Sequence, residues 1–208
     1  MSRVIRDASD LAEGAAHLAR ICPVWARTLP ILGPLPLRRW DEGFASMRDA
    51  VVSQQISTSA AAAILRRMAE AGLESEAAIR AASDEALRAA GLSRPKARYL
   101  RGIVEAGLDW PGLNELDDEA AIAQLVALPG IGRWTAEIYL KFALGRADVF
   151  ASADLALAEA ARLLYDLPER PAPKALVVLA EPWRPWRAVA ARALWAYYRH
   201  AKDREGIR

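Results

Sequence analysis

Asp154 is a carboxylate whose position before a helix could suit electrostatic or general base catalysis. It immediately precedes the helix-forming run Leu155–Tyr165. The free amides and the dipole at a helix N-terminus would hold the side chain as an anion. Such a carboxylate can stabilise positive charge developing on a sugar ring, and it can orient or deprotonate an attacking water. An ordinary N-cap has the same sequence signature, and the two roles are compatible. Asp148 is a nearby alternative, which we expect to end a loop.

A glycine-containing turn lies upstream of this carboxylate, between two helical runs. Its sequence, Leu128–Ala136, reads LPGIGRWTA, with Gly130 and Gly132 one residue apart. Glycine permits close approach of another molecule, so amides near the next helix N-terminus can face a phosphate oxygen. The alternative is a plain corner between helices, with Ile131 packed between them.

The elements that position these groups are predicted to be helices. Apolar residues recur mostly at helical spacing, and no run of alternating β-branched residues is long enough for a strand. The sequence therefore predicts an all-α protein. The stretch Leu29–Leu37, with Pro30, Pro34 and Pro36, is expected to be packed coil after an N-terminal helix at about Asp10–Arg20.

Composition excludes several other classes of site. A single cysteine, Cys22, excludes an internal disulfide, a cysteine-ligated zinc site and an iron–sulfur cluster. The two histidines, His17 and His200, are too far apart in sequence for a histidine metal motif. No apolar run reaches the length of a membrane span, so we expect a cytoplasmic protein without membrane contact. A net charge of +2 is weak evidence for nucleic acid.

The hairpin resembles that of the helix-hairpin-helix base-excision DNA glycosylases, and its tryptophan form resembles the DNA-3-methyladenine glycosylase II family. The resemblance implies that Asp154 is catalytic. It also implies that hairpin residues contact DNA, namely Gly130, Ile131, Gly132, Arg133 and Thr135. No cofactor is required, but main-chain carbonyls of Val126, Leu128 and Gly130 would hold a structural Na⁺ or K⁺.

Base extrusion and base binding are implied by further matches to the same family. Gln55, in the segment Val52–Ser57 that joins two helical runs, matches the residue inserted into the duplex. Gln54 and Gln55 could instead cap neighbouring helices. Trp195 is the best match to the pocket tryptophan, although core packing is an equal alternative. The other predicted pocket residues are Trp134, Ile138 and Tyr139, with Ile138 standing where a family member has tyrosine.

Trp134 narrows the predicted reaction. Family members that also cut the strand carry a lysine nucleophile at this position, and an indole cannot form a Schiff base. The nearest lysine, Lys141, lies two helical turns away and is expected on the surface or against phosphate. The basic segment Ser93–Arg101 is either a DNA contact or a solvated helix face.

Together these features predict one glycosylase unit, 1–208, made of two helical lobes with a DNA-binding cleft between them. Lobe one is about 43–146, with the hairpin at 128–136, and lobe two is about 1–42 plus 147–208. The predicted activity is monofunctional release of alkylated purines from double-stranded DNA, by a monomer, in base excision repair. The alternatives are a non-catalytic module that binds damaged DNA, and a glycosylase for uracil, hypoxanthine or oxidised purines.

Overall fold

The computed structural model describes residues 3–204, and the secondary structure in that range is helical, which confirms the all-α prediction. The α-helices are α1 Ala8–Ile21, α2 Pro23–Leu32, α3 Phe44–Ser53, α4 Thr58–Glu70, α5 Glu76–Ala81, α6 Asp84–Ala89, α7 Arg94–Ala106, α8 Asp118–Val126, α9 Arg133–Phe142, α10 Leu155–Leu164, α11 Pro173–Ala180 and α12 Arg187–Arg204. Short 3₁₀ helices occupy Pro111–Glu115 and Glu181–Trp183. Among these helices, none is long and apolar enough to cross a membrane.

Side-chain caps explain where most of these helices begin. The carboxylate of Asp7 accepts hydrogen bonds from the Ser9 and Asp10 amides, and the carboxylate of Asp10 accepts one from the Asp7 amide. The helix α1 therefore starts with a capping box. Serine or aspartate side chains also cap α4, α5, α6, α7, α8 and α10, at Ser57, Ser75, Ser83, Ser93, Asp117 and Asp154. These are residues whose short polar side chains accept the amides that a first turn leaves unpaired.

The prediction of coil over Leu29–Leu37 is wrong for its first part. Residues 29–32 belong to α2, which begins with Pro23 and contains Pro30. Proline lacks an amide hydrogen, but near the helix end the loss of one hydrogen bond is tolerated because Trp25 and Leu29 are buried. The chain leaves the helix at Gly33, whose φ of +66° suits glycine.

Residues 3–204 divide into two compact units. Unit 1 is Trp40–Tyr139, and unit 2 combines the residues up to Arg39 with those from Leu140 onward. The predicted lobes placed the boundaries at about 43 and 146. The last residues of α9 thus belong to unit 2, and the rest of that helix to unit 1.

In unit 1, α7 packs against α3, α5 and α6, and α3 packs against α4. The buried side chains of these helices are mostly aliphatic or methionine, and include Met47, Val51, Met68, Leu100 and Ile103. Burial of this apolar surface is the main stabilising contribution to such a unit.

In unit 2, α12 packs against α1, α2 and α10. Gly14 of α1 allows the close approach, because a Cβ there would clash with Val189 of α12 and with Trp186, the residue just before that helix. Trp183 and Trp186 are both 2% exposed and belong to the core of this unit. Trp25 packs edge-on to Trp183, with ring centroids 5.4 Å apart.

Candidate functional site

Asp154 is the N-cap of α10 in unit 2. Its Oδ1 accepts hydrogen bonds from the amides of Ala156, at 2.9 Å, and Leu157, at 3.0 Å. Its own amide donates to Ala151, so the loop before the helix fixes the residue from the other side. The side chain is half-buried. Two amide donors at the start of a ten-residue helix fix the position of the carboxylate.

Asp148, the nearby alternative, has a structural role. Arg187 donates to both of its carboxylate oxygens, at 2.8 and 3.0 Å, and Arg184 donates to one of them at 2.6 Å. Paired donors in this geometry give the strongest type of side-chain ion pair. Asp148 therefore fastens the loop before Asp154 to the start of α12 and is not available for chemistry.

The hairpin Leu128–Ala136 lies in unit 1 and turns at Gly130. This glycine has φ of +79°, and a Cβ there would collide with the ring of Tyr99. Gly132 is exposed, and a Cβ there would meet no atom within 4 Å. The backbone at the start of α9 thus faces open space, as binding of a phosphate by amides requires.

Ile131 and Thr135 do not present side chains at this surface. Each is 5% exposed, so the alternative reading of Ile131 as a packing residue is correct for its side chain. Contact of either residue with DNA is limited to the backbone.

Arg133 is exposed but its guanidinium is engaged by two glutamates. It forms a paired hydrogen bond with Glu119, at 2.6 and 3.0 Å, and its Nε donates to Glu137 at 2.9 Å. These carboxylates raise the pKa of Arg133. The side chain links α8 to α9, and contact of Arg133 with DNA stays a prediction.

The joining turn, residues 53–57 between α3 and α4, presents Gln55 at its exposed tip. Gln55 has φ of +58°, in the left-handed region that non-glycine residues enter at a cost of about 1 kcal/mol. Ser57 caps α4, and the side-chain amide of Gln54 donates to the Gly130 carbonyl at 3.1 Å. Gln54 also ends α3 as its C-cap residue, with its backbone amide donating to the Val51 carbonyl, so the capping alternative holds for the Gln54 backbone. Its side chain ties the joining turn directly to the hairpin.

Lys96 holds the joining turn from the other side. Its Nζ donates to the Val52 carbonyl at 2.7 Å and to the Gln54 carbonyl at 2.8 Å. Burial lowers the pKa of this lysine. The two carbonyls come just before the strained residue Gln55, so Lys96 fixes the backbone that leads into the tip.

The rest of the basic segment Ser93–Arg101 is divided in its contacts. Arg101 donates to the Ala82 carbonyl and to Asp84 within unit 1. Arg94 and Arg98 are exposed. The segment is thus neither a uniform solvated face nor a uniform basic patch, because two of its cations, Lys96 and Arg101, bind unit 1 itself.

The predicted pocket residues of α9 differ in exposure. Trp134 is 41% exposed, whereas Ile138, one helical turn later on the same face, is 6% exposed. Tyr139 is fully buried, and its hydroxyl accepts a hydrogen bond from the Gly43 amide at 2.7 Å. Burial raises the pKa of Tyr139 to about 12. Tyr139 is a core residue of unit 1, so we do not retain it as a base contact.

Trp195 lies on α12 in unit 2 and is partly exposed. Its ring stacks on Phe142, with centroids 5.7 Å apart and planes inclined by 21°. The Lys141 ammonium lies 4.4 Å from the centroid of the same ring. The expectation of a surface Lys141 is wrong, since its side chain is fully buried.

Comparisons with known proteins agree with this arrangement. Residues 49–185 match the HhH-GPD superfamily of base excision DNA repair proteins. This range includes the joining turn, the hairpin and Asp154. The chain belongs to the HhH-GPD superfamily.

Relatives within the HhH-GPD superfamily match nearly the whole chain. DNA-3-methyladenine glycosylase 1 of Schizosaccharomyces pombe is 32% identical over 199 residues, which cover 90% of this chain and 87% of the yeast protein. The crystal structure of DNA-3-methyladenine glycosidase from Bacillus halodurans matches with a TM-score of 0.84 and 33% identity. The match covers 96% of this chain and 95% of the B. halodurans chain. The S. pombe enzyme in complex with abasic DNA has a TM-score of 0.76, 31% identity and coverage of 88% and 95%.

The structural Na⁺ or K⁺ expected at the hairpin stays a prediction. Of the carbonyls predicted to hold it, Gly130 accepts the Gln54 side-chain amide at 3.1 Å and Leu128 accepts the Ile131 amide at 3.2 Å. A carbonyl oxygen has two lone pairs, so one amide donor still leaves a position for an ion. We derive no step through such a cation. Within residues 3–204, no cluster of three or more His, Cys, Asp or Glu side chains could hold a metal.

The HhH-GPD fold gathers the predicted residues into two groups. Unit 1 joins the hairpin and the joining turn through the Gln54–Gly130 hydrogen bond. Unit 2 contains Asp154 on α10 and Trp195 on α12, two helices that pack together. Sequence reasoning missed the roles of Lys96 and Lys141. For Lys141 a signal existed, because it is the single charge in the apolar run 138–144.

Proposed function

We propose that this protein is a monofunctional DNA glycosylase that hydrolyses the N-glycosidic bond of alkylated purines in double-stranded DNA. The observation that carries the proposal is Asp154, a half-buried carboxylate held by two amides at the start of α10 in an HhH-GPD chain. The names of the S. pombe and B. halodurans relatives, both enzymes of 3-methyladenine, support the substrate class.

In this mechanism Asp154 acts while it is ionised. Breaking the bond between base and sugar leaves positive charge on the sugar ring, and a fixed anion nearby stabilises that charge. The same carboxylate orients water for attack and accepts its proton. The amides of Ala156 and Leu157 keep the carboxylate in place throughout.

The hairpin and the joining turn prepare the substrate. The exposed backbone around Gly132, at the start of α9, binds a phosphate and sets the position of the DNA without reading its sequence. A base inside the stack cannot reach a catalytic group, so it has to be extruded. Gln55, at the tip of the joining turn, fills the gap that the base leaves. The S. pombe relative in its complex with abasic DNA supports DNA as the partner.

Base release from methylated duplex DNA tests the proposal directly. The wild-type protein should release methylated purines, identified by chromatography of the freed bases. Asp154→Asn keeps an N-cap but removes the negative charge, and should lower the rate at least about 100-fold. Asp117→Asn is the matched control, because Asp117 caps α8 through the Ala120 amide in the same way.

Three results of this experiment are informative. Loss of release in Asp154→Asn with normal release in Asp117→Asn supports the catalytic role. Undiminished release by Asp154→Asn removes that residue from the mechanism. No release by the wild type, together with binding to methylated DNA, indicates the non-catalytic damage-binding alternative.

The absence of a lysine at position 134 predicts that the reaction stops at the abasic site. Trp134 cannot form a Schiff base with the sugar. Purified protein should therefore leave the strand uncut on a denaturing gel, and borohydride should trap no covalent adduct. A trapped adduct that persists in Asp154→Asn would contradict the monofunctional reaction.

A further inference from the structure

Three arginines of unit 2 lie together without an acidic partner. We call them the arginine cluster: Arg38, Arg39 and Arg192. Arg38 is exposed, Arg39 is partly exposed, and Arg192 on α12 is 3% exposed. Burial and the charges of Arg39 and Arg38 lower the pKa of Arg192 to about 10, so it stays charged at neutral pH. The cluster therefore carries three positive charges in one part of unit 2.

Hydrogen bonds to the backbone fix the arginine cluster in place. The Arg192 guanidinium donates to the Lys141 carbonyl at 3.3 Å and to the Arg38 carbonyl at 3.5 Å. The Arg39 guanidinium donates to the Ile5 carbonyl at 2.9 Å. The segment that carries Arg38 and Arg39 is thus attached both to α12 and to the N-terminal residues. Its charges are presented by a fixed backbone.

Gly145 leaves the space that the Arg39 guanidinium occupies. Its φ is +71°, and a Cβ there would collide with Nη1 of Arg39 and with the Ile5 carbonyl. A larger residue at this position would therefore push the arginine away from its acceptor. The chain thus provides a specific place for this charged group.

The arginine cluster differs from neighbouring arginines of unit 2 in its lack of carboxylates. Arg162 pairs with Glu159 at 2.7 Å, and Arg187 pairs with Asp148 at 2.8 Å. Within residues 3–204, no member of the cluster pairs with a carboxylate. Like charges that are held together repel one another, and a bound anion would remove that cost. An unbalanced cluster with exposed members is therefore suited to binding an anion.

We propose that the arginine cluster is a phosphate-binding site of unit 2 that holds the backbone of bound DNA, in addition to the hairpin of unit 1. Guanidinium groups donate paired hydrogen bonds to phosphate oxygens, and such contacts bind DNA without reading its sequence. The inference rests on the proposed function for its ligand, and the S. pombe relative in complex with abasic DNA supports DNA as the source of the phosphate.

Binding of an undamaged duplex at several NaCl concentrations, measured by fluorescence anisotropy, tests the inference. The logarithm of the affinity falls against the logarithm of the salt concentration, with a slope of about 0.9 for each phosphate that the protein neutralises. Arg38→Gln should make this slope shallower by about 0.9 and weaken binding about fivefold at roughly 0.1 M NaCl. Arg38→Lys keeps the charge and should keep the slope. Arg27→Gln is the matched control, because Arg27 is exposed on α2 and its loss changes the net charge equally.

Arg39→Gln is the second variant, and it should also make the slope shallower. It removes the hydrogen bond to the Ile5 carbonyl as well, so thermal unfolding is measured beside binding. A loss of stability alone lowers the fraction of folded protein and leaves the salt dependence of the folded protein unchanged. The slope therefore separates a phosphate contact from a merely structural role.

The outcomes for the arginine cluster are distinct. A shallower slope in Arg38→Gln and Arg39→Gln, with the wild-type slope in Arg38→Lys and Arg27→Gln, supports the inference. The same slope in all variants overturns it, and so does an equal change in Arg27→Gln, since the effect then reflects net charge alone. If inorganic phosphate raises the unfolding temperature of the wild type but not of Arg38→Gln, and the DNA slopes are equal, the cluster binds a free anion and its assignment to DNA is overturned.

Base release distinguishes the failure of this inference from the failure of the proposed function. Normal release of methylated purines with equal salt slopes overturns the inference and leaves the glycosylase intact. No release by the wild type, with a shallower slope in Arg38→Gln, overturns the proposed function and supports the phosphate site. No binding of any duplex by the wild type overturns both.

Discussion

Lys96 in unit 1 is partly buried and Lys141 in unit 2 is fully buried. Both lie on helices, but their ammonium groups have different neighbours. The ammonium of Lys96 donates to two backbone carbonyls, at 2.7 and 2.8 Å. The ammonium of Lys141 lies on the face of an indole, 4.4 Å from its centre. A cation that donates hydrogen bonds to two carbonyl oxygens fixes the backbone that carries them. A cation over an aromatic face is attracted to the ring without directional hydrogen bonds.

Because their neighbours differ, the two lysines should affect different steps of the reaction. Lys96 determines backbone geometry, since its acceptors directly precede Gln55 at the tip of the joining turn. The backbone carbonyl of Lys141 accepts a hydrogen bond from Arg192, while its ammonium contributes to the electrostatic potential at Trp195. Lys96 should therefore govern how the duplex is opened, whereas Lys141 acts on the ring of Trp195.

Lys96→Met is the change expected to have the largest effect on this comparison. It removes the donor of two carbonyls, and each hydrogen bond to a charged group is worth about 1.5–3 kcal/mol. The joining turn should then lose its fixed geometry at Gln55. We expect release of 7-methylguanine from a duplex to fall about 30-fold, and release from a single strand to fall much less. The midpoint of urea unfolding should also decrease.

Lys141→Met is the control for this prediction. It should leave the ratio of duplex to single-strand release unchanged, because the Lys141 ammonium lies at Trp195 in unit 2. Equal changes of this ratio in both variants would show that the two lysines support only folding.

The residues whose roles could be predicted from sequence are those whose environment is local. Asp154 precedes a helical run, and an N-cap depends on that run alone, so its contacts with Ala156 and Leu157 follow from the sequence. Gly130 was singled out for similar reasons, and its φ of +79° explains the glycine. The helices follow from the spacing of apolar residues, apart from α2, where Pro30 suggested coil.

The two lysines could not be placed in the same way, because their acceptors come from distant parts of the chain. Lys96 on α7 binds the end of α3, and Lys141 on α9 meets Trp195 on α12. A lysine on a helix is mostly exposed, so its type and spacing predict a solvated or phosphate-binding role. Only the packed helices show that Lys96 is partly buried and Lys141 fully buried.

Gln55→Ala should have a smaller effect than Lys96→Met, because it removes the wedge but leaves the joining turn in place. The bonds from Lys96 to Val52 and Gln54, and from Gln54 to Gly130, do not involve the Gln55 side chain. We expect release of 7-methylguanine from a duplex to fall about tenfold, with release from a single strand nearly unchanged, because unstacking costs a few kcal/mol only in the duplex. Stability to urea should also stay close to that of the wild type. Equal losses on both substrates would contradict a wedge at Gln55, and a larger loss than in Lys96→Met would show that the joining turn keeps its geometry without Lys96.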